Sequence, residues 1–181
     1  MIDTIQKYLQ NILPYVQWWH LVVLGVLALA VMLLWRKRLS TYGAVMLGLA
    51  VFTGLALLDM AVVTRFLDTA PPSGTGLVLS VSKLIPADMQ SRVELLANIA
   101  VFIPFGFFLA EFLTTRKRIG GWRRLGLVAL AGFALSLFIE FLQLVFKVGW
   151  FELTDLVMNT VGAVIGAGLS VIGRKVFCHR H

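Results

Sequence analysis

A glutamate and a glutamine inside a long apolar stretch are the residues of this sequence best suited to chemistry. Glu140 and Gln143 both lie within residues 125–145, and their spacing places them on one face of a helix. The length and composition of the stretch predict a membrane-spanning helix, in which a charged side chain costs about 3 kcal/mol or more. Because membrane insertion does not require these groups, the pair indicates a functional site.

The neighbouring apolar stretches each carry an acidic residue and, one helical turn later, an asparagine. In residues 93–112 the pair is Glu94 and Asn98, and in residues 154–172 it is Asp155 and Asn159. If the three helices alternate in direction, all of these polar groups fall near one membrane surface. Lipid cannot satisfy such groups, so we expect the three polar faces to meet in a single site.

The acidic residues of this site have several uses open to them. Glu140 and Asp155 are candidates for a catalytic acid or base, and Glu140 can also act as a proton carrier or accept a cationic group. In a purely structural interpretation, the polar groups join the helices through hydrogen bonds worth about 1 kcal/mol each, and Asp155 caps its helix. We favour a functional site, because Ser, Thr or Asn would join helices at lower cost.

Composition indicates that the whole chain belongs in a membrane. Of its 181 residues, 59% are hydrophobic, and the mean hydropathy is +0.89, whereas soluble domains are only about half apolar. Five apolar blocks have the length of about 20 residues that crosses the hydrocarbon core: residues 16–35, 42–66, 93–112, 125–145 and 154–172. They predict an all-α bundle of five transmembrane helices.

This bundle is expected to form one domain, residues 16–173, whose motif-bearing core is residues 93–172. An interfacial lead-in at residues 1–15 precedes it, and a tail at residues 174–181 follows it. The first block can also be a cleaved signal, since Ala28 and Ala30 resemble a cleavage site. We predict a retained helix, because the apolar run continues to Trp35 before the basic cluster.

The distribution of charge predicts the orientation. The net charge is +7, but most of the 16 Lys and Arg residues lie in alternate gaps between blocks, at residues 36–38, 116–124 and 174–180. This pattern favours membrane orientation over nucleic-acid binding, and it makes these gaps cytoplasmic. The amino terminus is then outside, the carboxyl terminus is cytoplasmic, and the polar site faces the outer leaflet.

Features near the predicted outer surface have open interpretations. Asp59 can pair with Arg65, cap a neighbouring helix or line the polar site. Residues 77–85 are too short to span the membrane and form either a lid over the helix ends or a plain surface loop. We predict that His20 is an interfacial side chain rather than a ligand.

Proline and glycine residues are predicted to shape the helices. Pro104, two residues before Gly106, removes one helical hydrogen bond and frees a carbonyl near Ala100. Gly162 and Gly166 form a GxxxG pair, for which packing inside the bundle is favoured over dimerisation.

The motifs together resemble those of the VanZ-like family. The resemblance covers about residues 93–168, and it is carried by Asn98 with Pro104, Phe105 and Gly106, then Glu140 with Gln143, then Asp155 with Asn159, Thr160 and Gly162. It implies a small bacterial protein of the cytoplasmic membrane, in a family named for a member associated with resistance to the lipoglycopeptide teicoplanin. Many relatives carry an arginine in the turn before the aspartate. Here Lys147 stands in that turn, and lysine meets an anion as a point charge rather than as a planar fork.

We therefore expect an envelope protein with an outer-leaflet polar pocket that recognises an amphiphile, which is a membrane lipid or a lipidated or lipid-linked molecule. The expected ligand-binding residues are Glu94, Asn98, Glu140, Gln143, Lys147, Asp155 and Asn159. The alternatives are an intramembrane enzyme acting on a lipid-linked glycan or phosphate, and a proton-coupled transporter of a lipid or small molecule. We expect no cofactor, metal ion or nucleic acid, because the sequence has no motif for them and Cys178, His179 and His181 are read as tail residues.

Overall fold

The computed structural model describes residues 18–67, 76–79, 88–116 and 119–178. The predicted lead-in at residues 1–15, residues 80–85 of the predicted lid or loop, and residues 179–181 of the tail lie outside these ranges.

The described chain is almost entirely helical, with two three-residue strands that pair with each other. In chain order the elements are α1 (Trp18–Trp35), α2 (Thr41–Leu58), a π-helical turn (Asp59–Val63), α3 (Thr64–Leu67), β1 (Gly76–Val78), α4 (Met89–Thr114), α5 (Gly121–Phe146), β2 (Trp150–Glu152) and α6 (Leu153–Cys178).

Four of the described helices are long and apolar enough to cross a membrane: Thr41–Val63, Met89–Thr114, Gly121–Phe146 and Leu153–Arg174. The prediction of an all-α, multi-span protein is confirmed for these four. Helix α1 is apolar but shorter, so a fifth span stays a prediction. Helix α6 continues to Cys178, and the predicted tail therefore begins as helix.

Polar caps define several helix ends. The Ser40 hydroxyl accepts the Gly43 N–H at the start of α2, and the Asp88 carboxylate accepts the Ser91 N–H at the start of α4. At the end of α5, Lys147 takes the left-handed conformation with φ 56°. The N–H of Val148 then reaches back to the carbonyl of Gln143, so this turn closes as a Schellman motif with lysine at the position that usually holds glycine.

Contacts between the long helices show that sequence neighbours run in opposite directions. His20 at the start of α1 meets Asp59 after the end of α2, and Ser136 of α5 meets Asn159 of α6. Helices α1, α4 and α6 therefore begin at the same end of the bundle, which we call the Glu140 end. The other end, near Glu111 of α4, is called the Glu111 end.

Helices α4 and α6 run parallel and pack with their backbones in contact. A Cβ atom built on Gly162 would collide with the carbonyl oxygen of Ile99, and one built on Gly106 would collide with that of Ala163. Gly166 meets Ile103 in the same way. These contacts form a continuous line, called here the glycine seam, and the GxxxG pair acts inside the bundle as the sequence favoured.

Two neighbouring features complete the framework. Pro104 lies inside α4 but is exposed, so it faces away from the seam. Strand β1 pairs in parallel with β2, with Gly76 opposite Trp150. Residues 77 and 78 of the segment predicted as a lid or loop therefore lie against the connection between α5 and α6.

The glycine seam gives a direct prediction for stability. Gly162→Ala should lower the free energy of unfolding by about 2 kcal/mol, because the new methyl group has no room against the Ile99 carbonyl. Thermal unfolding of the detergent-solubilised protein, followed by circular dichroism, measures this change.

Gly168→Ala is the matched control on the same helix. A Cβ atom built there has no neighbour within 4 Å, so this variant should be as stable as the parent or slightly more stable, since alanine favours a helix by about 1 kcal/mol over glycine. Equal destabilisation by both substitutions would contradict the role of the seam.

Candidate functional site

Glu140 lies at the centre of the polar groups at its end of the bundle. Its side chain, on α5, is 2% exposed. The backbone N–H of Glu152, in β2, donates to its Oε2 at 2.9 Å. The short strand that follows α5 thus closes over the carboxylate, which lies six residues before the helix end at Phe146.

Gln143 shares this helix face and connects it to the π-helical turn. Its Nε2 donates to the carbonyl oxygen of Ala61 at 3.1 Å. A π-helical turn disturbs the regular helical hydrogen bonds and is frequent at functional sites. The Gln143 amide therefore satisfies a backbone acceptor that the turn presents to α5.

Arg65, in α3, reaches the same region from the other side. Its Nη1 lies 3.2 Å from a Cβ atom built on Gly149, in the connection between α5 and β2. Arg65 also acts electrostatically on Glu140, as do the carboxylates of Asp155 and Glu152. From the sequence, Arg65 is expected only as a partner for Asp59, because the two are close in the chain.

Asn159 is buried one turn deeper, between α5 and α6. Its Nδ2 donates to the hydroxyl of Ser136 at 2.9 Å, and Ser136 lies one turn before Glu140 on the same helix. Within the described ranges, the Asn159 Oδ1 and the Thr154 Oγ1 are buried without a hydrogen-bond partner. Ser136 was not singled out from the sequence, since a lone serine in an apolar helix gives no distinctive signal.

The other residues expected to bind a ligand lie in more open positions. Glu94 is exposed and accepts a hydrogen bond from Gln90 at 3.2 Å, and Asn98 is half-buried. Lys147 is exposed at the turn that ends α5. The structure therefore places Glu140 near Asp155, and Asn159 against Ser136 one turn away from Glu140. Gln143 bonds instead to the π-helical turn, and Glu94 is exposed on α4.

Asp59 lies at the same end and pairs with a residue that sequence reasoning placed elsewhere. Its carboxylate lies 3.1 Å from Nδ1 of His20. His20 is 5% exposed, so this side chain is inside the bundle rather than at an interface with water. The pair joins α1 to the π-helical turn, a contact between helices that chain proximity could not reveal.

A second buried glutamate lies at the opposite end, and it was missed from the sequence. Glu111 is 5% exposed and accepts hydrogen bonds from the hydroxyl groups of Tyr42 and Ser170, the latter at 2.6 Å. The Arg174 guanidinium adds Nε at 3.1 Å and Nη2 at 2.5 Å. This cluster ties α2, α4 and α6 together. The available signal was that Glu111 and Arg174 lie at the same end of two parallel spans.

The two ends therefore differ in chemistry. Glu111 forms an ion pair with the Arg174 guanidinium, and both of its carboxylate oxygens accept hydrogen bonds from protein donors. Glu140 has a backbone donor and two neighbouring carboxylates. Among the described residues, no three His, Cys, Asp or Glu side chains cluster as ligands for a metal ion.

Comparisons with known proteins found one family and one relative that match the chain. The chain is 34% identical over 82 residues to a protein from Enterococcus faecium named "Protein VanZ", a match that covers 45% of this chain and 47% of that protein. The match thus spans about half the length of that relative. No solved structure matches the chain. The profile of the family described as VanZ/LLP1 matches residues 56–174, which include both buried glutamates. The chain belongs to the VanZ/LLP1 family.

Proposed function

We propose that this protein lies in the bacterial cytoplasmic membrane and recognises the head group of an amphiphile through its Glu140 site. The observation that supports the proposal is the contrast between its two buried glutamates. Glu111 has the full set of partners that a structural carboxylate needs, including Arg174. Among the described residues, Glu140 is buried with one backbone N–H donated to it, and the carboxylates of Asp155 and Glu152 and the guanidinium of Arg65 act on it electrostatically without an ion-pair contact.

This contrast argues against a purely structural role for Glu140. A buried carboxylate without a close cationic partner lowers stability, because the interior replaces water poorly as a solvent for charge. Such a carboxylate is useful where a bound ligand supplies the cationic or hydrogen-bonding partner that the protein does not. Glu140 also lies near the end of its helix. At that depth its carboxylate is close to where the head group of an amphiphile lies when the tail of the amphiphile is in the hydrocarbon layer.

Access to Glu140 would involve the paired strands. The carboxylate is 2% exposed and is covered by the backbone of β2. A head group can contact it only if β2 moves aside, together with β1, which pairs with it. Both strands lie in connections outside the long helices, so such a movement leaves the bundle intact.

The orientation that we propose puts this site at the outer leaflet. The basic residues Arg36, Arg38, Arg116, Arg123 and Arg124 lie in connections or helix starts at the Glu111 end. The positive-inside rule makes that end cytoplasmic. The Glu140 end then lies at the outer face of the membrane. Recognition of a lipid or lipidated molecule there would reduce sensitivity to the lipoglycopeptide teicoplanin, as the family resemblance implies.

A second candidate function is enzymatic. Asp155 and Glu140 act on each other electrostatically, and two neighbouring carboxyl groups are a common arrangement for a general acid and a general base. In this version a lipid-linked glycan or phosphate is cleaved or transferred at the site. An enzyme changes the mass of its lipid substrate, whereas a binding protein does not, so lipid mass spectrometry separates the two.

Substitution of Glu140 tests the proposed site. Glu140→Gln keeps the size and an oxygen that can accept the Glu152 N–H, but it removes the carboxylate charge. We expect normal membrane insertion and a thermal stability at least equal to that of the parent, because the substitution removes a buried charge. In a teicoplanin-sensitive host, the minimal inhibitory concentration should fall to that of cells with an empty vector. We also expect one lipid species to co-purify with the parent, as measured by lipid mass spectrometry, and to be lost from the variant.

Asp88→Asn is the matched control, since it makes the same acid-to-amide change at the same end of the bundle. Asp88 is exposed, and asparagine caps a helix about as well as aspartate. This variant should behave as the parent in both assays. If Glu140→Gln also did so, the site proposal would be wrong and Glu140 would have a structural role only.

Cysteine labelling tests the orientation. Cys178 is the single cysteine of the sequence, so the experiment uses a Cys178→Ser background. Gln90→Cys, at the exposed start of α4, should react with a membrane-impermeant maleimide in intact cells. Gly120→Cys, before α5, should react only after the membrane is permeabilised, because it lies at the end proposed to be cytoplasmic. Both positions are exposed, so the difference in labelling reports the side of the membrane. The reverse pattern would move the Glu140 site to the cytoplasmic face.

A further inference from the structure

Arg124, at the start of α5, is a partly buried cation. Its Nε atom is buried and has no hydrogen-bond partner in the described ranges. A guanidinium carries a permanent positive charge and five N–H donors, and it has no acceptor. The chemistry of a ligand for this group is therefore fixed, because only an acceptor can bind it and an anionic acceptor binds it best.

This buried donor distinguishes Arg124 from other basic residues at the Glu111 end. Arg36, Arg38 and Arg123 are exposed, so water satisfies their donors, and the positive-inside rule accounts for them without a ligand. The Arg124 Nε is closed to solvent. A buried donor without an acceptor lowers stability, and a bound anion would remove that cost.

The protein itself offers no free carboxylate to Arg124. The chain segments at the Glu111 end contain no Asp or Glu: residues 36–40, 115–120 and 174–181. Glu111 is the acidic residue of this end, and it already forms an ion pair with Arg174. In the described chain, the Glu111 end therefore has a surplus of positive charge, and Arg124 has no anionic partner there.

Packing brings the two basic connections of this end together at the start of α2. A Cβ atom built on Gly43 would lie 3.1 Å from both the Ser40 Oγ and the Thr115 Oγ1. Ser40 ends the connection that carries the basic residues 36–38, and Thr115 begins the connection that leads to α5. Their positive charges therefore act together, and they favour an anion on this side of the bundle end.

The surroundings of Arg124 indicate that this anion belongs to a lipid. Helix α5 is long and apolar enough to cross a membrane, so its first turn lies at the depth of the lipid head groups. Trp122 in that turn is 88% exposed, as is typical of tryptophan at a membrane interface. Leu127 and Leu130 are exposed further along the helix, and they offer an apolar surface to the acyl chains of a lipid whose phosphate is at Arg124.

We infer that Arg124 binds the phosphate of an anionic phospholipid at the Glu111 end of the bundle. A guanidinium and a phosphate form charge-assisted hydrogen bonds, which would satisfy the buried Nε. The neighbouring basic connections add attraction for the net negative charge of the lipid. The site lies at the opposite end from Glu140, and it does not depend on the function proposed for that residue.

Competition between two phospholipids tests the inference. The whole chain is placed in nanodiscs of equimolar phosphatidylcholine and phosphatidylglycerol, which both have a phosphate but differ in net charge. Native mass spectrometry then measures the ratio of the two lipids that stay bound. We expect phosphatidylglycerol to be retained about tenfold more than phosphatidylcholine, since each basic residue near the membrane surface favours an anionic lipid about fivefold.

Variants separate a site at Arg124 from general attraction to a basic surface. Arg124→Gln should lower the retention ratio about fivefold. Arg36→Gln is the matched control, because it removes the same charge from an exposed arginine at the same end, and it should leave the ratio unchanged. Arg124→Lys keeps the charge but loses the planar fork, so the ratio should fall about twofold. Thermal unfolding followed by circular dichroism checks that each variant is folded.

Several results would overturn the inference. Equal losses in Arg124→Gln and Arg36→Gln would assign the preference to the basic surface as a whole, and equal retention of both lipids by the parent would remove the preference itself. Displacement of bound phosphatidylglycerol by millimolar glycerol 3-phosphate would assign the site to a soluble phosphate. If Arg124→Gln is unfolded, Arg124→Lys decides alone, and the parent ratio in that variant would contradict a bond to the buried Nε.

Discussion

The close contact between α4 and α6 is the constraint on which the rest of the structure depends. Gly162 and Gly166 have no room for a side chain, because the carbonyl oxygens of Ile99 and Ile103 lie where a Cβ atom would be. In a lipid environment, helices gain little from burying apolar surface, since the lipid is equally apolar. Dispersion contacts between closely packed backbones replace that driving force. Because these two helices are parallel, the same seam fixes the relative height of every polar group on them.

The seam separates two polar clusters of unlike character. At the Glu111 end, Glu111 is bound by Arg174 and by two hydroxyl groups, and this cluster joins three helices. At the Glu140 end, the Glu140 carboxylate has a backbone donor and is acted on by two carboxylates and by Arg65. The Asn159 amide, which bonds to Ser136 one turn away, has a buried oxygen without a partner in the described ranges. A satisfied cluster stabilises the bundle. A cluster with unmet hydrogen-bonding capacity costs stability, and that cost is a physical reason to regard it as a site.

Much of the architecture was predictable from the sequence. Block length and hydropathy predicted the four helices that are long and apolar enough to span a membrane within one to four residues at their ends, and the GxxxG pair indicated close packing inside the bundle. The spacing of Glu140 with Gln143 and of Asp155 with Asn159 indicated shared helix faces. The structure places Glu140 near Asp155 and Asn159 against Ser136, whereas Gln143 bonds to the π-helical turn. These results follow from local rules: a helix of known rise must match the thickness of the membrane, and residues three or four apart share a face.

The partner of each buried polar group was decided by the tertiary structure alone. Asp59 pairs with His20, Glu111 with Arg174, and Asn159 with Ser136, across separations that chain proximity cannot anticipate. In a soluble protein, the apolar stripe of a helix shows which face is buried. A membrane helix has no such stripe, because the side chains that face lipid are as apolar as those that face the core. The sequence therefore determined which residues share a face, and only packing determined which neighbouring helix that face would meet.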